Sequence, residues 1–400
     1  MNAAQPESDA ACPLCGTTPT IEVVRQNQVP AHQNALYDGR LAARSAARGT
    51  LDLRLCPNCE FVFNAAFDPA LLDYGPNYDN TQTYSAAFSE HLDNLIELLV
   101  EDRGIRNRRV VEVGCGKGDF LRRLLQRACG STTGCGYDPS YLGPDEDLQG
   151  RLRFCKTFYG SGTTQRADVV VCRHVIEHVP RPLELLRAIR AALHDASRPQ
   201  VYFETPCVEW ILHHRVVWDL FYEHCSLFTA RSLAWAFAAS NFVPQDVRHV
   251  FGSQYLWLEA TTGIGKPLPS AIGRLERLAA DFAKQRQRQL EIWQDLLYRL
   301  HCRGPVVVWG AGAKGVTFCN LTDPDQRWLQ AIVDINPAKQ NKYIAGTGHP
   351  ILAPGQLTRE DNATVLVLNP NYFAEVVQHL KVLNLNACVL DLMNTRKAAA

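Results

Sequence analysis

Two stretches of this chain share one plan: a short apolar strand, a glycine-rich turn and a helix. The first reads RVVEVGCGKGDFLRRLL, residues 109–125, and the second reads PVVVWGAGAKGVTF, residues 305–318. Valine runs of this kind suit strands buried on both faces, and helices joining such strands build parallel sheets. The surrounding chain repeats the alternation. DVVVCR and QVYFET follow the first unit with helical stretches between them, while AIVDIN, TVLVLN and ACVLDL follow the second. The expected fold class is therefore α/β, with two separate α/β units.

The two turns differ in ligand chemistry. Gly114-x-Gly116-x-Gly118 is preceded by an acid, Glu112, and followed by Asp138. Glycines let backbone approach a ligand at the helix N-terminus, and an acid about 20 residues on suits ribose hydroxyls. An acid before the glycines suits a ligand with an ammonium and carboxylate end and no bridging pyrophosphate. Gly310-x-Gly312-x-x-Gly315 with Asp334 is the more regular dinucleotide fingerprint, so NAD(P) stands as a rival cofactor.

Ahead of both units lie two tight cysteine pairs, Cys12-Pro-Leu-Cys15 and Cys56-Pro-Asn-Cys59. Each pair can place two thiolates on one metal, and together they complete a tetrahedral zinc site. Four protein ligands leave no open position, so this zinc would be structural. The ~40 residues between the pairs exceed the 15 to 20 of a compact ribbon, which implies an insertion between the knuckles. The other ten of the 14 cysteines lie singly, and a chain this long is no disulfide framework.

GIGKPLPS interrupts the pattern near residue 263. After it, Ile272, Leu275, Ala279, Phe282, Leu290, Trp293, Leu297 and Leu300 recur at near three-four spacing, broken at Arg286. That spacing predicts one long connecting helix. The expected division is a zinc-binding domain over 1–75, an α/β domain over 76–266, a helical connector over 267–302 and a second α/β domain over 303–395. Lys plus Arg equals Asp plus Glu at 41 each, so no net field draws nucleic acid or an anionic membrane. A small molecule is the expected partner. The N-terminus has no basic region followed by an apolar run, and no 18-residue apolar stretch occurs, so the expected location is cytoplasmic.

VVEVGCGKGDFL with GYDPS and DVVVCRHVIEHVPRPLELL resembles the class I S-adenosylmethionine-dependent methyltransferases. The whole arrangement, with NYDNTQTYS, FYEHCSLFT, GAGAKGVTFCN and IVDINPAKQNKY, resembles the sugar C-methyltransferases. The resemblance implies a Rossmann-like methyltransferase domain between a zinc-knuckle module and a C-terminal Rossmann-like domain that helps hold substrate. It also implies that the middle domain alone binds the methyl donor, through Glu112, Gly114, Gly116, Gly118 and Asp138. The implied substrate is a nucleotide-linked keto-sugar.

Methylating a carbon beside a ketone needs a base to form the enolate, and an imidazole suits that task. Tyr222, Glu223 and His224 supply a phenol, a carboxylate and an imidazole in consecutive positions. The resemblance points to His224 as base, with Glu223, His178, Tyr222 and Tyr78 as further catalytic candidates. His174 and Glu177 are placed by sequence at a strand end, where they can cap or line the donor pocket. Lys314, Lys339 and Tyr343 suit phosphates. Phe221 stands where the resembling enzymes carry a tyrosine, which keeps an O- or N-methyltransferase of another small molecule in view. Two further functions compete with methyl transfer: an NAD(P)-dependent oxidoreductase built on residues 310–334, and a zinc-knuckle binding protein whose α/β domains are scaffolds.

Overall fold

The computed structural model describes residues 10–72, 78–160, 162–163, 165–265, 273–357 and 362–394. The expected boundaries at 75/76 and 266/267 fall outside them. The middle of the chain forms an eight-stranded sheet. Its spatial order is Phe242–Val250, Tyr255–Thr262, Gln200–Pro206, Val169–Arg173, Arg109–Val113, Thr133–Tyr137, Leu152–Cys155 and Glu146–Asp147. The five strands from Gln200–Pro206 to Leu152–Cys155 run parallel, and both edges are closed by antiparallel pairings.

Val110, Val111, Val169, Val170 and Val171 are all at most 1% exposed, as strands covered on both faces require. The helix Asp119–Ala128 follows the first glycine turn and buries Phe120, Leu121, Leu124 and Leu125. Gly114 has φ +72°, and a Cβ there would stand 2.0 Å from Val175, so only glycine fits this turn.

The second unit is a five-stranded, wholly parallel sheet. Its order is Ile351–Leu352, Leu329–Val333, Val306–Trp309, Thr364–Val367 and Cys388–Asp391. Between the sheets runs one unbroken helix, Arg274–His301, which buries Leu275, Ala279, Phe282, Leu290, Trp293, Leu297 and Leu300. Arg286, which interrupts the apolar stripe, donates to Gln26 of the N-terminal region. Ile272 lies outside the described residues.

The N-terminal module is not self-contained. Its antiparallel sheet runs Ile21–Pro30, Arg48–Leu55, Val62–Asn64 and then Ser226–Leu227, a strand supplied by the middle of the chain. The insertion between the cysteine pairs also reaches the second α/β unit, where Leu36–Tyr37 pairs with Tyr343–Ile344. Among the described residues no helix is long and apolar enough to cross a membrane.

Candidate functional site

At the carboxyl end of Arg109–Val113 the first glycine turn closes on its acid. Gly116 N donates to Asp138 Oδ2 at 2.8 Å, and Ser140 N and Oγ donate to Oδ1 at 2.8 and 2.6 Å. Glu112 is buried, with Oε2 unpartnered. Burial raises its pKa to about 8, against the opposing pull of Arg173. A Cβ at Gly116 would meet nothing within 4 Å, so open space adjoins the turn. Glu112, Gly116 and Asp138 thus lie together beside the N-terminus of Asp119–Ala128.

A cavity between the two α/β units is lined by Tyr78, His174, Glu177, His178, Phe221 and His224 on one side. Trp309, Gly310, Gly312, Lys314, Asp334 and Lys339 line the other. The His178 and His224 rings stand 4.8 Å apart at 87°, and the Phe221 ring lies 4.0 Å from that of His224. His224 is buried with Nδ1 unpartnered. Burial first, then His178, His174 and Lys314, hold its pKa well below the usual imidazole range. It is accordingly a neutral imidazole at neutral pH, able to accept a proton.

Beside it, Glu177 Oε2 accepts from Thr205 Oγ1 at 3.0 Å, while Oε1 lies 3.4 Å from His174 Nδ1. His174 also approaches Glu204 at 3.5 Å. Burial disfavours charge on His174, but Glu177 and Glu204 outweigh it and raise its pKa to about 9. Its backbone at φ +53° holds it against this pair, with its N–H donating to the Glu204 carbonyl. His174 and Glu177, expected near the donor pocket, thus line the cavity between the units.

Two expected catalytic side chains do not face this cavity. Phe221 to His224 form a tight turn, with His224 N donating to Phe221 O at 3.2 Å. The two ends of the turn face the cavity and the two middle residues face the protein behind it. Tyr222 is fully buried, its hydroxyl accepting from Asp68 N at 2.7 Å and its ring 5.3 Å from Phe67. Glu223 is fully buried against His32 Nδ1 at 3.1 Å and Gln33 N at 2.9 Å. The expectation that these two groups meet substrate is corrected by the geometry of the turn.

Tyr78 does line the cavity, its ring edge-on to His32 and its hydroxyl 3.4 Å from Asn34 Nδ2. On the facing side Lys314 pairs with Asp219, and buried Lys339 donates to Ala311 O at 3.0 Å. Tyr343 is drawn off into pairing with Tyr37 and does not line the cavity. His32, Gln33 and Thr205 carry no local motif, so sequence reasoning does not single them out.

The four paired cysteines converge, with Cys12 Sγ 3.6 Å from Cys59 Sγ and Cys15 Sγ 3.4 Å from Cys56 Sγ. Thiolates about 2.3 Å from a tetrahedral zinc stand roughly 3.8 Å apart. The cluster fits a metal.

A methyltransferase-domain family model matches residues 84–247, and a C-methyltransferase C-terminal domain model matches residues 273–387. Over 399 residues the chain is 24% identical to C-methyltransferase NovU of Streptomyces niveus, covering 92% of each protein. A ubiquinone biosynthesis O-methyltransferase of Aeromonas salmonicida (strain A449) is 29% identical over 103 residues, 24% of this chain and 42% of that protein. Among solved structures, the 1,6-didemethyltoxoflavin-N1-methyltransferase of Burkholderia thailandensis aligns at 18% identity and TM-score 0.35, over 46% of this chain and 81% of that one.

Proposed function

The chain is an S-adenosylmethionine-dependent methyltransferase of the C-methyltransferase family, and from that premise we propose that it methylates the carbon beside the ketone of a nucleotide-linked keto-sugar. The second glycine turn lies within the C-methyltransferase C-terminal match, so the oxidoreductase reading falls away. The bound donor supplies an electrophilic methyl on a sulfonium. Glu112, with an unpartnered buried oxygen, would take its ammonium end, and Asp138 its ribose hydroxyls. Gly116 keeps the turn open to it, while Gly114 and Gly118 let the turn pack against Val175 and Phe154.

The observation that carries the acceptor chemistry is His224, neutral and with Nδ1 unpartnered in the cavity. Nδ1 takes the proton from the substrate carbon and the freed electron pair forms the enolate, whose carbon would accept the methyl that the bound donor would supply as the S–C bond breaks and its electron pair stays on sulfur. His178 packs against this ring and fixes its plane. The charge on His174 and the hydroxyl of Tyr78 face the cavity where negative charge develops on the ketone oxygen. Lys314 and Lys339 on the opposite wall could turn to phosphates of the substrate, Lys314 exchanging its Asp219 partner to do so. The cysteine cluster holds zinc as a structural ion.

Phe221 favours one second reading. Its apolar ring on His224 suits an acceptor hydroxyl that the same base deprotonates, which gives O-methylation. Incubation with labelled methyl donor and a panel of nucleotide keto-sugars, read by mass spectrometry, separates these outcomes. A carbon-methylated product is expected, an oxygen-methylated one selects the second reading, and no labelled sugar overturns both. His224→Asn is expected to keep donor affinity and lower turnover at least about 100-fold.

A further inference from the structure

We propose that His32 and Gln33 are positioning residues for the methyl transfer, and that the metal-clamped ribbon carrying them sets the place of the His224 imidazole. The proposal rests on the reading of His224 as the base. The ribbon is the antiparallel pair Ile21–Pro30 and Arg48–Leu55, registered from Ile21 opposite Leu55 to Pro30 opposite Arg48. Cys12 and Cys15 precede its first strand and Cys56 and Cys59 follow its second, so the thiolate cluster closes its root. At the other end Ala31 N donates to Ala47 O at 2.8 Å and Gln33 Nε2 to Pro30 O at 2.8 Å, which stiffens the tip.

That tip occupies both oxygens of Glu223, one facing His32 Nδ1 and the other accepting from Gln33 N. A carboxylate at 0% exposure keeps its place only while such partners remain, because an unpaired buried charge is costly. The same module grips the chain on either side. Tyr222 bonds to Asp68, Asn64 N donates to Cys225 O at 2.9 Å, and Ser226 pairs with Phe63. His224 has no hydrogen bond at Nδ1 to orient its ring, so its position is inherited from this grip and from the His178 and Phe221 rings. A misplacement of about 1 Å at a reacting group costs about 100-fold in rate.

The test uses the full chain as wild type, His32→Ala and His32→Asn, with three readouts. These are calorimetry with S-adenosylhomocysteine, the imidazole NMR signal of His224, and turnover on the keto-sugar found by the panel. For His32→Ala we expect donor-product affinity within about 2-fold of wild type, a displaced His224 signal, and kcat lowered at least about 10-fold with KM within about 3-fold. His32→Asn, whose amide can donate to Glu223, restores most of kcat and the signal. Metal depletion of the wild type displaces the same signal. An unmoved His224 signal in His32→Ala and in metal-depleted protein, or an unchanged kcat, overturns the proposal. Should His32→Ala not fold, His32→Asn and the metal-depleted wild type decide it by the same signal. If no keto-sugar is methylated by wild type, the reading of the reaction fails, while the His224 signal still decides the positioning.

Discussion

The two glycine-rich turns share one strand–turn–helix plan and differ in the side chains around it. In each, an acid from the next strand accepts a backbone N–H of the turn, Asp138 from Gly116 and Asp334 from Ala311. Two residues before the first glycine, however, one turn has Glu112 and the other has Val308, and both positions are buried. Around the second turn stand Lys314 and Lys339. One strand–turn–helix unit thus carries a buried carboxylate with an unpartnered oxygen, while its counterpart carries two lysines that are already engaged, Lys314 by Asp219 and Lys339 by Ala311 O. The shared fold decides where a ligand lies, and a handful of flanking side chains decide which ligand it is.

The comparison breaks most sharply by filling each turn in place. Gly116→Arg projects into open space but strains a backbone held at φ +54°, so calorimetry should show no binding of S-adenosylhomocysteine, with circular dichroism and the melting temperature checking that the variant still folds. Gly312 also faces open space. Gly312→Arg should leave donor-product affinity within about 2-fold of wild type and raise KM for the acceptor at least about 10-fold, as loss of uniform binding does. Equal loss of donor binding in both variants would end the division of labour.

Glu112→Gln probes the same contrast more gently. Removing the carboxylate should weaken S-adenosylhomocysteine about 10-fold, in line with loss of a charged hydrogen bond. It should also raise the melting temperature in alkaline buffer, since Glu112 is raised to about 8 by burial and ionises at a cost above that pH. An acid raised in this way binds more protons folded than unfolded, so stability falls as pH climbs from about 4.5 through 8. A variant that weakens binding while flattening that decline identifies Glu112 as a group kept for its ligand.

Much of this architecture is legible along the chain because its signals are local. Valine runs ending in glycine mark the parallel strands, the cysteine pairs mark a four-thiol cluster that could hold a metal, and the three-four stripe marks Arg274–His301. Even the break at Arg286 has a local reason, since that side chain turns to Gln26. The part that is not legible depends on partners far away in sequence. Consecutive letters place Tyr222, Glu223 and His224 together, but the turn sends His224 to the cavity and its neighbours to Asp68, His32 and Gln33. No pattern within a short stretch can reveal a partner more than 150 positions earlier, as Asp68 is to Tyr222 and His32 to Glu223. The long spacing between the cysteine pairs is the visible trace of that arrangement, because the insertion is the ribbon that reaches Glu223.

The smallest expected effect concerns His174, which lines the cavity between the two α/β units. Its pKa is raised from about 6.5 to about 9 by Glu177 and Glu204 acting against burial. A histidine raised in this way stabilises the fold fully below about 6.5, and the contribution is lost as pH climbs through about 9. The melting temperature of wild type should therefore fall over this window by roughly 2 °C more than that of His174→Gln. Glu112 titrates in the same range but is common to both proteins, so the difference between the two curves isolates His174. If the imidazolium also polarises the ketone, kcat of the wild type declines above about pH 9 and His174→Gln is slow at every pH, with no such decline. Parallel melting curves for the two proteins would remove the charge from His174 and leave Tyr78 as the group facing the developing oxyanion.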